Sequence, residues 1–110
     1  MSLDRTLSAL ADPTRRGVVD LLRRRPRRVG ELAEALSVSA PALSRHLRVL
    51  RQNGLIELEG ALADDARVRV YRLKPAPFAT LRTWLEHVEA FFTAELDTFK
   101  AHPERTRPRR

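Results

Sequence analysis

Apolar residues recur along the chain with a helical period until residue 54 and change period there. Leu3, Leu7 and Leu10 stand at i, i+4 and i+7 and predict a short amphipathic helix over residues 3–11. Asp12-Pro13 then punctuates the chain, because aspartate caps a helix and proline suits its first turn. Val18, Val19, Leu21 and Leu22 mark a second helix, which ends in the run Arg23–Arg28 where Pro26 breaks the pattern. Gly30 is the expected cap of a third, short helix that turns Leu32, Ala33 and Leu36 inward. After the tight link Ser37-Val38-Ser39, Ser39 caps a fourth helix with Pro41 in its first turn. Leu43, Leu47 and Leu50 form its buried stripe, and Asn53-Gly54 stops it. Two such helices, joined by three or four residues, match the helix-turn-helix layout.

Beyond Gly54 the pattern shortens. Leu55, Ile56 and Leu58 read as one strand and Val68, Val70, Tyr71 and Leu73 as a second, joined through the polar stretch Gly60–Ala66 into a hairpin. Lys74-Pro75-Ala76-Pro77 ends the hairpin. A long helix follows from Phe78 to Lys100, with Leu81, Leu85, Val88, Phe92, Leu96 and Phe99 on one stripe flanked by Trp84 and Phe91. The expected fold is mainly α with a small β-hairpin wing, a winged helix-turn-helix in the order α-α-α-α-β-β-α. Residues 1–100 form one DNA-binding and dimerisation domain in this reading, and 101–110 a basic tail expected to be disordered.

Charge then says what the fold is for. The net charge is +7. Residues 13–54 hold ten arginines against Asp20, Glu31 and Glu34, which accounts for the whole excess, while residues 61–100 are balanced. A concentrated basic region attracts polyanions, and counterion release from phosphate favours nucleic acid. On a wheel of about 100° per residue, Pro41, Ser44, Arg45, Arg48 and Gln52 lie opposite the leucine stripe of the fourth helix. With the cap Ser39 they form the expected reading face of segment Ser39–Asn53, since such a helix fits the major groove and arginine bonds guanine there. His46, at the border of the stripe, reaches either a phosphate or the helix–helix seam. Arg15, Arg16, Arg27 and Arg28 are candidates for backbone contacts from neighbouring helices. Arg67 and Arg69 are the expected contacts of the wing, whereas Asp64 and Asp65 near its tip would be repelled by phosphate.

The long helix presents an apolar arc about 140° wide, more than so small a domain covers. Leu81, Trp84, Leu85, Val88, Phe91, Phe92, Leu96 and Phe99, with Leu3, Leu7 and Leu10 of the first helix, are therefore the expected homodimer interface. Two reading helices related by a two-fold axis predict an inverted-repeat operator in double-stranded DNA.

Other classes find little support. The chain has no cysteine, which excludes disulfides and thiolate metal sites and fits a reducing compartment. No signal peptide or membrane-spanning stretch is read, so a cytoplasmic location and no membrane partner are expected. Catalysis would need a positioned nucleophile or an acid–base pair, and the three histidines are scattered. Two rivals keep the fold: a protein-interaction module that does not bind DNA, and a metal-responsive repressor using His87 or His102 with Glu89 or Asp97.

The stretches A-L-A-D-P-T-R-R at 9–16, V-G-E-L-A-E-A-L at 29–36, A-L-S-R-H-L-R-V-L at 42–50, N-G-L-I at 53–56 and V-Y-R-L at 70–73 resemble the ArsR family of bacterial winged-helix repressors. The resemblance covers residues 3 to about 100. It implies a homodimer paired through first and last helices that represses a nearby operon until a signal releases it. Metal-sensing members of that family carry cysteines where this chain has Ala33 and Ala35. Others carry Asp, His, His and Glu where it has Pro75, Pro77, Val88 and Phe91. The resemblance thus implies no metal and no cofactor, and it leaves the effector unknown.

Overall fold

Side-chain caps set where the helices begin in the computed structural model, which describes residues 2–59 and 69–100, the last four by backbone alone. Ser2 Oγ accepts the Arg5 N–H at 3.3 Å and opens α1 (Leu3–Ala9). Asp12 Oδ1 accepts from Thr14 and Arg15 N–H at 2.8 and 3.1 Å and opens α2 (Pro13–Leu22). Ser39 Oγ accepts the Ala42 N–H at 3.3 Å and opens α4 (Ala40–Gln52). Asp12 and Ser39 cap where the sequence places them, and Ser2 is a cap that the sequence reading did not name.

The third helix departs from expectation. Gly30 is not its cap: the cap of α3 (Val29–Leu36) is Arg28, two residues earlier, and the Glu31 carboxylate accepts the Arg28 backbone N–H at 2.9 Å. Just before it, Arg27–Arg28 forms a two-residue strand, β1, that no sequence pattern announces. It pairs antiparallel with β3 (Val70–Leu73), which also pairs with β2 (Ile56–Glu59), giving the sheet order β1-β3-β2. The element order is therefore α-α-β-α-α-β-β-α rather than one with two strands alone. The final helix, α5, spans Pro75–Lys100. Both prolines of the predicted link lie in its first turn, where a missing N–H is harmless, and Pro77 is fully buried. Arg67, Val68, the hairpin stretch 60–66 with Asp64 and Asp65, the Phe99 side chain and the tail with His102 lie outside the described residues.

Packing divides the chain into Met1–Ala79 and Thr80–Arg110. The core of the first unit gathers Val18 and Leu22 of α2, Leu32 of α3, the α4 stripe Leu43, Leu47 and Leu50, and Leu55, Ile56 and Tyr71 of the sheet region. In α1 the buried side chains are Ala9 and Thr6, not the leucines; the Thr6 hydroxyl donates to Ser2 O at 3.2 Å. Leu3 and Leu10 are half-buried and Leu7 is exposed. Gly17 brings α2 close to α3: a Cβ there would stand 2.7 Å from Leu36 Cδ2. From Thr80 on, α5 leaves Trp84, Leu85, Phe91, Phe92 and Leu96 exposed, with Leu81 and Val88 half-buried. No helix among the described residues is long and apolar enough to cross a membrane.

Candidate nucleic-acid interface

The leucine stripe that buries one side of α4 fixes what the other side shows. Ser44, Arg45, Arg48, Arg51 and Gln52 are exposed, as are the cap Ser39 and Pro41. Among the described residues the guanidiniums of Arg45, Arg48 and Arg51 take part in no ion pair and no internal hydrogen bond. A row of unengaged guanidiniums on a rigid, capped helix is a ready set of donors for phosphate or a base edge. Beside it runs a groove of about 580 Å³ lined by Ser44, Leu47, Arg48, Arg51, Gln52, Arg69 and Tyr71. The structure thus brings Arg69, predicted for the wing, to the flank of α4. Arg51 belongs to the same surface and was missing from the predicted site, although its wheel position, about 80° from the leucine stripe, already put it beside the reading arc. The cleft continues past Val29 and Gly30 at the start of α3 and Ala40 at the start of α4. The turn between those helices closes at Ser37, which takes a left-handed φ of 55° while Val38 N–H donates to Ala33 O at 3.1 Å.

His46 faces the seam. Its Nδ1 lies 3.3 Å from Arg15 Nη1 and 3.8 Å from Asp12 Oδ1. Arginine only donates, so a hydrogen bond across the 3.3 Å contact uses Nδ1 as acceptor, with the ring proton on Nε2. Asp12 is held below the usual carboxylate range, first by the Arg15 backbone N–H and then by that of Thr14, with partial desolvation opposing and the His46 and Arg15 charges adding. Arg15 and Arg16 serve the fold as well: Arg15 Nε donates to Ala9 O at 2.7 Å and Arg16 Nη1 to Leu10 O at 2.8 Å, at the carbonyl end of α1. Arg5 ties α1 to the end of α4 through Nε–H to Asn53 Oδ1 at 2.9 Å and Nη2–H to Gln52 O at 2.8 Å. Arg28 is exposed, while Arg27 is half-buried and its Nε has no partner among the described residues.

His87 is exposed on α5. Among the described residues no three His, Cys, Asp or Glu side chains stand close enough to share a metal ion. Among the described residues Glu31 is also held low, by the Arg28 backbone N–H first and the Arg25 guanidinium after it, against partial desolvation.

The sequence profile of the family described as "Bacterial regulatory protein, arsR family" matches residues 12–57, from the cap of α2 into β2. The chain is 47% identical over 85 residues to the HTH-type transcriptional regulator Rv2034 of Mycobacterium tuberculosis, covering 77% of this chain and 76% of that one. The crystal structure of the ArsR family transcriptional regulator RHA00566 superposes with a TM-score of 0.70 at 32% identity, covering 83% of this chain and 96% of that one. The homodimeric winged helix-turn-helix DNA-binding domain Mb0332 from Mycobacterium bovis superposes with a TM-score of 0.61 at 26% identity, over 84% of this chain and 82% of that one. With the leucine-backed reading helix, the strands beside it and these relatives together, the chain belongs to the ArsR family of bacterial regulatory proteins, as a winged helix-turn-helix transcriptional regulator and not an enzyme.

Proposed function

We propose that the protein is a homodimeric repressor that reads an inverted-repeat operator in double-stranded DNA with two copies of α4. The observation that carries this reading is the set of unengaged arginines, Arg45, Arg48 and Arg51, on the exposed face of a helix whose opposite face is fully buried. Arg45 and Arg48 are assigned to base edges, with Ser44 and Gln52 beside them. Ser39, Pro41, Arg51 and Arg69 flank the backbone, and Arg67 extends the same role along the wing. His46 is assigned to holding α4 against α2. The exposed stripe of α5 pairs with a second copy, together with Leu3, Leu7 and Leu10 of α1, as the homodimeric Mb0332 domain suggests. Repression then requires only occupancy, because a dimer seated on a promoter excludes polymerase. A DNA target of this kind puts the protein in the cytoplasm. Ala33, Ala35, Pro75, Pro77, Val88 and Phe91 offer a metal no donor side chain, so the reading includes no metal.

Fluorescence anisotropy on a selected operator duplex tests the assignment. Arg48→Ala is expected to weaken binding by about 1–3 kcal/mol and to relax preference at one base pair. The affinity of the parent is expected to fall with salt at a log–log slope of about −5 to −9, for six to ten phosphates per dimer. Equal affinities of Arg48→Ala and parent, with no salt dependence, would overturn the reading.

A further inference from the structure

The unit Met1–Ala79 has a second groove that shares no residue with the one beside α4. Its volume is about 650 Å³, within the range of roughly 300–1,000 Å³ of small-molecule sites. The floor is apolar: Val19 and Leu22 come from the second half of α2, Leu73 from β3, and Pro75 and Phe78 from the start of α5. Around it stand four guanidiniums, Arg23, Arg24 and Arg25 directly after α2 and Arg72 on β3, against one lining carboxylate, Glu59.

Three of those guanidiniums hold carboxylates. Arg23 faces Asp20 at 3.6 Å, Arg25 faces Glu31 at 3.3 Å and Arg72 pairs with Glu57 at 2.6 Å. All three pairs are solvent-exposed, so they contribute little and exchange readily. The guanidinium of Arg24 has no partner among the described residues.

An apolar floor beside the uncommitted guanidinium of Arg24, with exchangeable exposed ion pairs around it, complements a ligand with an apolar body and one anionic head. The planar fork of arginine matches a carboxylate best. A sugar or a base would need polar side chains on the floor, and Glu59 is the single polar lining residue that is not arginine. The last ten residues of the chain are excluded as occupant by sign, since they carry four arginines against one glutamate.

We propose that this groove is a binding site for an amphipathic organic carboxylate, its head on Arg24 and Arg72 and its body against Leu22, Leu73 and Phe78. Calorimetric titration of the full chain with octanoate tests this without DNA, so the result is independent of the operator reading. Octanoate is expected to saturate one site per chain, with acetate and 1-octanol each weaker by about tenfold or more, as loss of the apolar or the charge-assisted contact requires. Arg24→Gln is expected to weaken octanoate by about tenfold with an unchanged melting temperature. Arg82→Gln, which removes the same charge from α5, leaves octanoate binding as in the parent. Backbone amide NMR shifts on titration are expected to cluster at Leu22, Leu73 and Phe78. Absence of saturable binding, acetate binding as well as octanoate, or equal loss in Arg24→Gln and Arg82→Gln would each overturn the proposal.

Discussion

Asp12 joins a capping role to a charge role at one oxygen. Its Oδ1 closes the first turn of α2 and stands 3.8 Å from the imidazole that α4 lays against the same seam. Because its pKa is depressed in the fold relative to about 3.9 in an unfolded chain, its stabilising contribution is present above that value. It is lost as pH falls through the folded pKa. Asp12→Ala is therefore expected to lower the melting temperature at neutral pH, and the gap from the parent to narrow as pH falls to about 3. Thermal melts followed by circular dichroism would show this, and a gap independent of pH would place the effect in packing alone. Asp12 was legible in the sequence because capping is local chemistry. The His46 seam was legible only as one of two options, because a border position on a wheel does not say which neighbour a ring meets. The roles of Arg5, Arg15 and Arg16 in the fold were not legible, since their acceptors are mostly main-chain carbonyls, with Asn53 Oδ1 and His46 Nδ1 beside them, on other segments that leave no mark in composition.

The same division holds for elements. Helices α2 and α4 were readable because stripe, cap and stop agree along each of them. β1 was not, because two arginines carry no alternation and the strand exists through its pairing of Arg27 with Tyr71 and Arg28 with Val70. The buried face of α1 was missed for a related reason: Thr6 satisfies its hydroxyl within its own first turn and packs as an apolar group would. The α4–β2 turn shows sequence and geometry in agreement. Gly54 has φ +79°, its N–H donates to Arg51 O at 3.1 Å, and Leu55 N–H returns to Leu50 O at 3.0 Å. A Cβ at Gly54 meets nothing within 4 Å, so substitution there tests the backbone alone. Gly54→Ala is expected to cost about 1–2 kcal/mol in urea denaturation, and Gly54→Asn less, because asparagine tolerates this region better. Equal midpoints for all three proteins would mean that the turn adopts another conformation in solution.

For the molecule as a whole, the apolar surface of α5 sets the expectation. Phe91 and Phe92 are 60% and 59% exposed, and their rings meet edge to face with centroids 5.6 Å apart. Exposed aromatic surface of this extent on a single chain is a partner-binding surface or an aggregation liability. Phe92→Glu is expected to yield a monomer by sedimentation and to weaken operator binding with it, because half a dimer forfeits half of the contacts. A monomeric parent that holds the full operator tightly would refute the pairing. The arc was readable from spacing because an uninterrupted helix of this length preserves its period. A second copy of the chain as its partner was inferred from the width of the arc on so small a domain, not from the period, which says only which face is apolar.

The hydrogen bonds from Arg5 to the end of α4, and the contact of His46 with Arg15, hold this helix from positions off its exposed arginine face. Position and content are thereby separated. In the proposed reading, leucines, caps and the α1 tether decide where the helix lies, while Ser44, Arg45, Arg48 and Gln52 decide what it says. A lineage that duplicates such a gene could rewrite the four outward side chains and acquire a new address on the chromosome, with no part of the folding instructions revised.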